Sequence, residues 1–543
     1  MRKTCIAAAA LLAACSPGVA PAQPLRANAP KLVVAISVDQ LSSELWDEYR
    51  PHFRGGFARL AQGAAYRNGY QSHAATETCP GHSTILTGKR PATNGIVANV
   101  WLDQATARDD KMIYCSEDER VPGSTSREYT VSPEHLRGQS LGDLLKARSP
   151  ASRNVAVAGK DRSAVMMGGR NVDQRWYRQG NGFATDLKGA AVPRSVTAAN
   201  AAVAAALAQA RPPLNPPPLC EAKSRTYALT PSLTVGNWRM DRAAGDGGNF
   251  LRSPEFDGAV LALSAALVQE MGLGRGPATD VLSIGLAATD YVGHAFGTGG
   301  MEMCLQLHAL DRELGDFLAR LDASGIDYAV VLTSDHGGMD IPERLREKGV
   351  AGAARAEPGL APGEMGKMLA PRFGRSESVL KGPGIGGDVW VDAGVPAAQR
   401  AAVLGAAKQA YGAHRQVHAA FTRDEIMTVP IPSGPPDQWT VIQRVRASFD
   451  PARSGDLYVV LKEFISPPPV PSTGYVATHG SPWDYDRRVP IVFWRKGVAP
   501  AGSDEAVETV DIMPTLAAMI GLPLLAGSAD GRCLPVAGAD CPR

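Results

Sequence analysis

Asp and His residues recur just beyond short apolar runs in this chain. Leu32–Val38 is followed by Asp39, Asp280–Leu286 leads to Asp290 and His294, and Tyr328–Thr333 leads to Asp335 and His336. His479 stands in Thr478-His479-Gly480, shortly before the apolar run Val489–Trp494. Three Asp and three His in such positions suit a multinuclear metal centre. Mixed imidazole and carboxylate donors favour zinc over magnesium or calcium, which prefer oxygen alone. Asp290 and His294 lie one helical turn apart, where Cβ atoms stand about 5–6 Å from each other on one face. Any one of these residues alone would read as a helix cap or a polar His. Their recurrence at equivalent places argues for chemistry.

Two metal ions side by side clamp an in-line displacement. The nucleophile must then sit near Asp39. Thr78, in Thr76-Glu77-Thr78-Cys79-Pro80-Gly81-His82, is the candidate. Pro80 suits the first position of a helix whose amide groups would face an anion. Local sequence alone would make Thr78 a helix cap.

The elements that must position these groups are legible as alternating strands and helices from Lys31 to about Ala210 and again from about Ala259 to Gly338. That alternation predicts an α/β fold with a central, mostly parallel sheet flanked by helices. Ligands in such folds bind outside the carboxyl ends of the strands. Asn154–Ala158 is a further buried strand, and it leads into Gly159-Lys160-Asp161-Arg162. Residues two apart at a strand end share a side, so Lys160 and Arg162 are expected to face the same point. The Gly-, Pro- and Ala-rich stretch 341–471 reads as a smaller inserted lobe, with 31–340 and 472–543 forming the catalytic domain. Thr509–Leu516 reads as a closing helix.

The 543 residues carry a formal net charge of +2, with 44% hydrophobic and 20% charged residues. This is a globular composition, and no Lys/Arg stripe suggests a nucleic-acid surface. Residues 1–22 read as an export signal: Arg2 and Lys3, then an apolar stretch too short to span a bilayer. Leu12-Ala13-Ala14-Cys15 resembles a lipoprotein box, which would lipidate Cys15. Ala20-Pro21-Ala22 offers a cleavage site that would give a free protein. The expected location is periplasmic, soluble or outer-membrane-anchored. Beyond the leader six cysteines remain, an even number that suits disulfides in an exported protein. The expected pairing, one of many, is Cys79–Cys115, Cys220–Cys304 and Cys533–Cys541.

The run Thr76–Thr84, with Thr87-Gly88, Pro91, Asn94-Gly95-Ile96 and Asn99, resembles the nucleophile region of the type I phosphodiesterase/nucleotide pyrophosphatase branch of the alkaline phosphatase superfamily. The likeness extends from Lys31 to about Leu522 and is greatest to exported bacterial alkaline phosphatases that use Thr and two zinc ions per subunit. It implies that Asp39, Thr78, Asp335 and His336 hold one zinc and Asp290, His294 and His479 the other. Asn99 would bind a phosphoryl oxygen. Lys160 and Arg162 would bind the non-bridging oxygens of a monoester, at a position where the resemblance implies that phosphodiesterases have an apolar or nucleotide-binding surface. The implied reaction passes through phosphothreonine at Thr78 and acts on small phosphate esters. A structural calcium is compatible with this reading, and a monomer is favoured.

Three rival readings remain at this stage. Phosphodiesterase is the nearest, differing mainly at Lys160 and Arg162. Gly138-Gln139-Ser140-Leu141-Gly142 has the form of a serine hydrolase nucleophile turn, but no buried strand precedes it, so Ser140 is expected to cap a helix. A non-catalytic metal-binding protein would not need Thr78. His82 lies one helical turn after Thr78 and could support the site from behind, but a structural role is expected for His73, His82 and His308.

Overall fold

The computed structural model describes residue 26 and residues 28–541. The expected export signal and Cys15 lie outside the described residues. The chain builds its main sheet from strands β1 (Leu32–Val38), β2 (Ala64–Tyr70), β3 (Asn154–Ala158), β4 (Gln174–Gln179), β5 (Gly182–Ala184), β6 (Asp280–Leu286) and β7 (Tyr328–Thr333). A second, antiparallel sheet follows, made of β8 (Leu380–Lys381), β9 (Gly387–Val391), β10 (Val417–Thr422) and β11 (Leu457–Leu461). The chain then returns to the main sheet as β12 (Arg488–Arg495), β13 (Ala501–Ser503) and β14 (Val507–Glu508).

The main sheet runs β13-β2-β12-β7-β1-β6-β3-β4-β5, with β14 also paired to β2. Its centre is parallel: β1 pairs with β6 and β7, and β6 with β3. Register aligns the strand ends, with Val38 opposite Leu286, Ser37 opposite Thr333, and Gly285 opposite Ala158. The residues that follow these strands therefore emerge along one edge. β12 departs from the parallel pattern, running antiparallel to both β7 and β2.

All seven residues of β1 are buried, as expected of a central strand covered on both faces. Alternate side chains enter two different cores. Leu32, Val34, Ile36 and Val38 join one, and Val33 and Ala35 the other, the period-2 signature of a strand. The helices that position the site are α1 (Thr78–Thr87), α2 (Asp161–Gly168), α3 (Pro254–Met271), α4 (Ala288–Phe296), α5 (Met301–Ala323) and α6 (Ile512–Ile520). α3 and α5 supply the first core, while Ile85 and Leu86 of α1 and most of α6 supply the second. The expected closing helix is thus present, but Thr509–Asp511 forms a tighter 3₁₀ turn before α6.

Within 341–471 the antiparallel sheet has a core of its own, including Leu369, Val379, Val389, Val403 and Val459. The three expected disulfides are present: Cys79–Cys115, Cys220–Cys304 and Cys533–Cys541. Ser140 caps the helix Leu141–Arg148 in a reciprocal capping box with Asp143. Its hydroxyl is engaged with the helix and with the Gly168 carbonyl, so no serine-hydrolase arrangement forms there.

Candidate active site

Asp39 follows β1 directly, and the chain turns away at Gln40 through a φ of +67°, a costly conformation for a residue with a Cβ. The turn is held across the strand ends. The Gln40 amide donates to Asp335 Oδ1 at 3.2 Å and the Leu41 amide to Ser334 Oγ at 2.9 Å. Asp335 and His336 follow β7, while Asp290 and His294 share one face of α4, as the four-residue spacing predicts. His479 enters from the loop before β12.

These six residues form two clusters, Asp39/Asp335/His336 and Asp290/His294/His479. In each, the donor atoms lie within 4.8 Å of one another. His336 Nε2 stands 3.4 Å from Asp39 Oδ1 and 3.3 Å from Asp335 Oδ2. Asp290 Oδ1 stands 3.2 Å from His294 Nε2 and 3.4 Å from His479 Nε2. The His336 and His479 rings stack with centroids 3.6 Å apart, which brings the clusters side by side.

The residues fit metal ions on two observations. First, each imidazole is oriented through its Nδ1 by a backbone carbonyl: His294 by Ala477, His336 by Gly337 and His479 by Thr76, at 2.8–2.9 Å. That fixes the tautomer and presents Nε2 as a ligand. Second, Asp39 Oδ1, Asp290 Oδ1 and His336 Nε2 are buried without a hydrogen-bond partner among the described residues. Buried polar atoms are rarely left unpaired, and all three belong to the clusters. Burial first, then the Asp335 and Asp290 carboxylates, pushes Asp39 well above the ordinary carboxylate range against the pull of Lys160. Burial holds His336 neutral, down to about 3, despite nearby Asp335. Three buried carboxyl groups, with an imidazole held neutral at His336, suit cations.

Thr78 is the first residue of α1, so Pro80 occupies the third helical position rather than the expected first. α1 is pressed against the end of β7: a Cβ on Gly81 would stand 1.9 Å from the Asp335 carbonyl oxygen. The Cys79 amide donates to Asn99 Oδ1 at 2.7 Å. Because that oxygen is taken, Asn99 has its Nδ2 group left to donate. Its own amide donates to Glu77 Oε2 at 2.7 Å.

Lys160 and Arg162 do not sit two apart on a strand. Lys160 is the N-cap of α2 and Arg162 lies in its first turn. They converge nonetheless: Lys160 Nζ is 3.5 Å and Arg162 Nη2 3.3 Å from Thr78 Oγ1. Lys160 also bridges the clusters, donating to Asp39 Oδ2 at 2.7 Å and Asp290 Oδ2 at 2.6 Å. Burial opposes its charge, but Asp290 and Asp39 outweigh that and hold it protonated. Arg162 is steered by the Tyr114 hydroxyl, which donates in turn to Asp161.

Several further residues support the site, of which the sequence pointed only to His82. His82 Nδ1 lies 3.0 Å from Asp335 Oδ2 and 2.9 Å from the Thr78 carbonyl, so it links nucleophile and ligand rather than serving packing alone. Its place one turn after Thr78 was the available signal. Asp257 of α3 accepts from the Ala287 and Ala288 amides at the start of α4. Asp486 accepts from the amide and hydroxyl of Ser481, steadying the His479 loop. Neither carried a local signal, since both act across the fold. His73 is fully buried, and burial lowers it to about 3, in keeping with a structural role.

A sheet whose parallel centre delivers two Asp/His clusters beside a helix-borne Thr defines a metal-dependent hydrolase fold. A family model described as type I phosphodiesterase / nucleotide pyrophosphatase matches residues 33–467, and the chain belongs to that family. It is 50% identical to alkaline phosphatase PhoK of Sphingomonas sp over 98% of both chains. It is 43% identical to alkaline phosphatase PhoD of Zymomonas mobilis subsp. mobilis, over 94% of this chain and 89% of that one. The crystal structure of wild type alkaline phosphatase PafA superimposes with a TM-score of 0.81 at 24% identity, covering 93% of this chain and 98% of that one. That last likeness concerns the fold.

Proposed function

We propose that this protein is an exported, zinc-dependent alkaline phosphatase that hydrolyses phosphate monoesters through a phosphothreonine at Thr78. The class rests on the two relatives that bear that name along nearly the whole chain. The observation that carries the monoester reading is the convergence of Lys160 and Arg162 within 3.5 Å of Thr78 Oγ1, between two Asp/His clusters. A monoester dianion carries its charge on non-bridging oxygens, which Arg binds with two prongs and Lys as a point charge.

Asp39, Asp335 and His336, with Thr78, would hold one zinc ion, and Asp290, His294 and His479 the other. Bound there, the ions would supply Lewis-acid charge to the attacking, leaving and water oxygens. The chain's own groups do the positioning. Thr78, its hydroxyl proton given up to solvent, bonds through Oγ1 to phosphorus as the ester oxygen departs on the opposite side and takes up a proton from solvent. Lys160, Arg162 and Asn99 Nδ2 bind the equatorial oxygens, and water then cleaves the phosphothreonine and restores Thr78. Lys160, held protonated, donates hydrogen bonds and does not act as a base. Such catalysis is mainly positioning and charge stabilisation.

Residues 31–340 and 472–543 form the catalytic domain in this reading, and 341–471 the lobe beside it. Export rests on the order of charge, apolar stretch and small residues in 1–22. Among the described residues no helix is long and apolar enough to cross a membrane.

The test compares p-nitrophenyl phosphate with bis-p-nitrophenyl phosphate at alkaline pH, with zinc and after chelation. A strong zinc-dependent preference for the monoester is expected, and preference for the diester would move the protein to the phosphodiesterases. Thr78→Ala should abolish turnover while phosphate still binds. Substantial residual turnover would remove Thr78 as the nucleophile.

A further inference from the structure

We infer that Tyr475 is the contact for a planar aromatic leaving group, making aryl phosphate monoesters a favoured substrate class. The inference rests on the proposed phosphatase reaction. In an in-line displacement from Thr78, the leaving oxygen departs on the side away from the nucleophile, which places it with Asp290, His294 and His479. Whatever is attached to that oxygen must lie beside these residues. A cleft of about 730 Å³ opens there, lined by His294, His479 and Tyr475 together with Ile385, Tyr458 and Pro468.

Tyr475 is 44% exposed, and of the large exposed hydrophobic side chains among the described residues it alone lines this cleft. Its ring centroid is 5.2 Å from that of His294. The ring is held in place rather than free at the surface. Ser472 and Tyr475 exchange backbone hydrogen bonds at 2.9 and 3.1 Å around Gly474, whose φ is +83°. The Tyr475 hydroxyl donates to Thr478 Oγ1 at 3.2 Å. The next residues grip the site: the Val476 amide donates to the His294 carbonyl at 2.6 Å, and Ala477 accepts from His294 Nδ1. With its polar end tied back, the ring offers an apolar face to the cleft, fixed relative to the atom that releases the leaving group. Aromatic rings prefer offset or edge contacts at centroid separations of about 4.5–7 Å, beyond the gain from burying their area.

The experiment compares kcat/KM for phenyl phosphate and methyl phosphate in the zinc-loaded wild type, Tyr475→Ala and Tyr475→Phe, with zinc per chain measured in each. The phenyl-to-methyl ratio should fall about 3- to 10-fold in Tyr475→Ala, the range that one aromatic contact is worth, and recover in Tyr475→Phe. An unchanged ratio overturns the proposal. So does a fall in both substrates by one factor together with lost zinc, since the ring would then only support His294. Calorimetric binding of phenylphosphonate and methylphosphonate to zinc-loaded Thr78→Ala, with and without Tyr475→Ala, reads the same contact without turnover. If the wild type hydrolysed neither ester, the phosphatase reading would fail. The phosphonate pair would still decide the contact, because equal loss of both ligands would refute it.

Discussion

Replacing Lys160 and Arg162 together by Ala removes one buried and one half-buried positive charge that both reach Thr78 Oγ1, at 3.5 and 3.3 Å. Any phosphoryl group must pay for losing their hydrogen bonds, and for charged partners that is on the order of 1.5–3 kcal/mol each. Monoester and diester share this loss. The monoester differs by one further negative charge. Unit charges about 4 Å apart interact by roughly 4 kcal/mol at the effective dielectric typical of protein sites. Allowing about half of that to survive screening, the extra loss is on the order of 2–4 kcal/mol, roughly 30- to 700-fold in kcat/KM. The assay is kcat/KM for p-nitrophenyl phosphate and bis-p-nitrophenyl phosphate in wild type, each single variant and the double. Zinc content needs to be measured alongside and zinc kept in excess, because Lys160 also holds Asp39 and Asp290. Equal factors on both esters at full zinc occupancy would refute the reasoning and reduce the pair to a support for the carboxylates.

Two other substitutions test the scaffold. Gly81→Ala drives a methyl group into the Asp335 carbonyl. It should cost about 1–3 kcal/mol of stability as an overpacked contact, lowering both Tm and kcat/KM, and calorimetry with unchanged Tm and full activity would show that α1 can shift freely. Burial pushes Asp257 up to about 7, against the hydrogen bonds it accepts from Ala288, Ala287 and Gln306. Its folded pKa therefore lies above the unfolded one. The stability it contributes is complete below about pH 4 and is lost as pH rises through about 7. Asp257→Asn should flatten the fall in Tm over that window, with Gln306 free to turn its unpaired Oε1 toward the new amide. A slope equal to that of the wild type would show that Asp257 titrates no differently when folded.

The central strands were legible because their signal is local. Leu32–Val38, Asp280–Leu286 and Tyr328–Thr333 are continuous apolar runs, and each is a strand with those bounds. The four-residue spacing of Asp290 and His294 likewise fixes a shared helical face whatever surrounds it. β2 was not legible: Ala-Ala-Tyr-Arg-Asn-Gly-Tyr has no apolar run, and it becomes a strand by pairing with β12 and β14. The antiparallel course of β12 was also beyond local pattern, because strand direction depends on partners far away in the chain. The same holds at the site. Residue types pointed to Lys160 and Arg162, but from a strand-end geometry that the fold replaces with a helix cap and its first turn. The sequence by itself determined the donor types, the strands that carry most of them and the nucleophile motif, since these depend on neighbours within a few residues. Only the tertiary structure decided that Lys160 bridges a carboxylate at the end of β1 and another on α4, that Asn99 is aimed by Cys79 and Glu77, and that Tyr475 faces the cleft beside His294. Each of these is a contact between segments whose separation no local periodicity records.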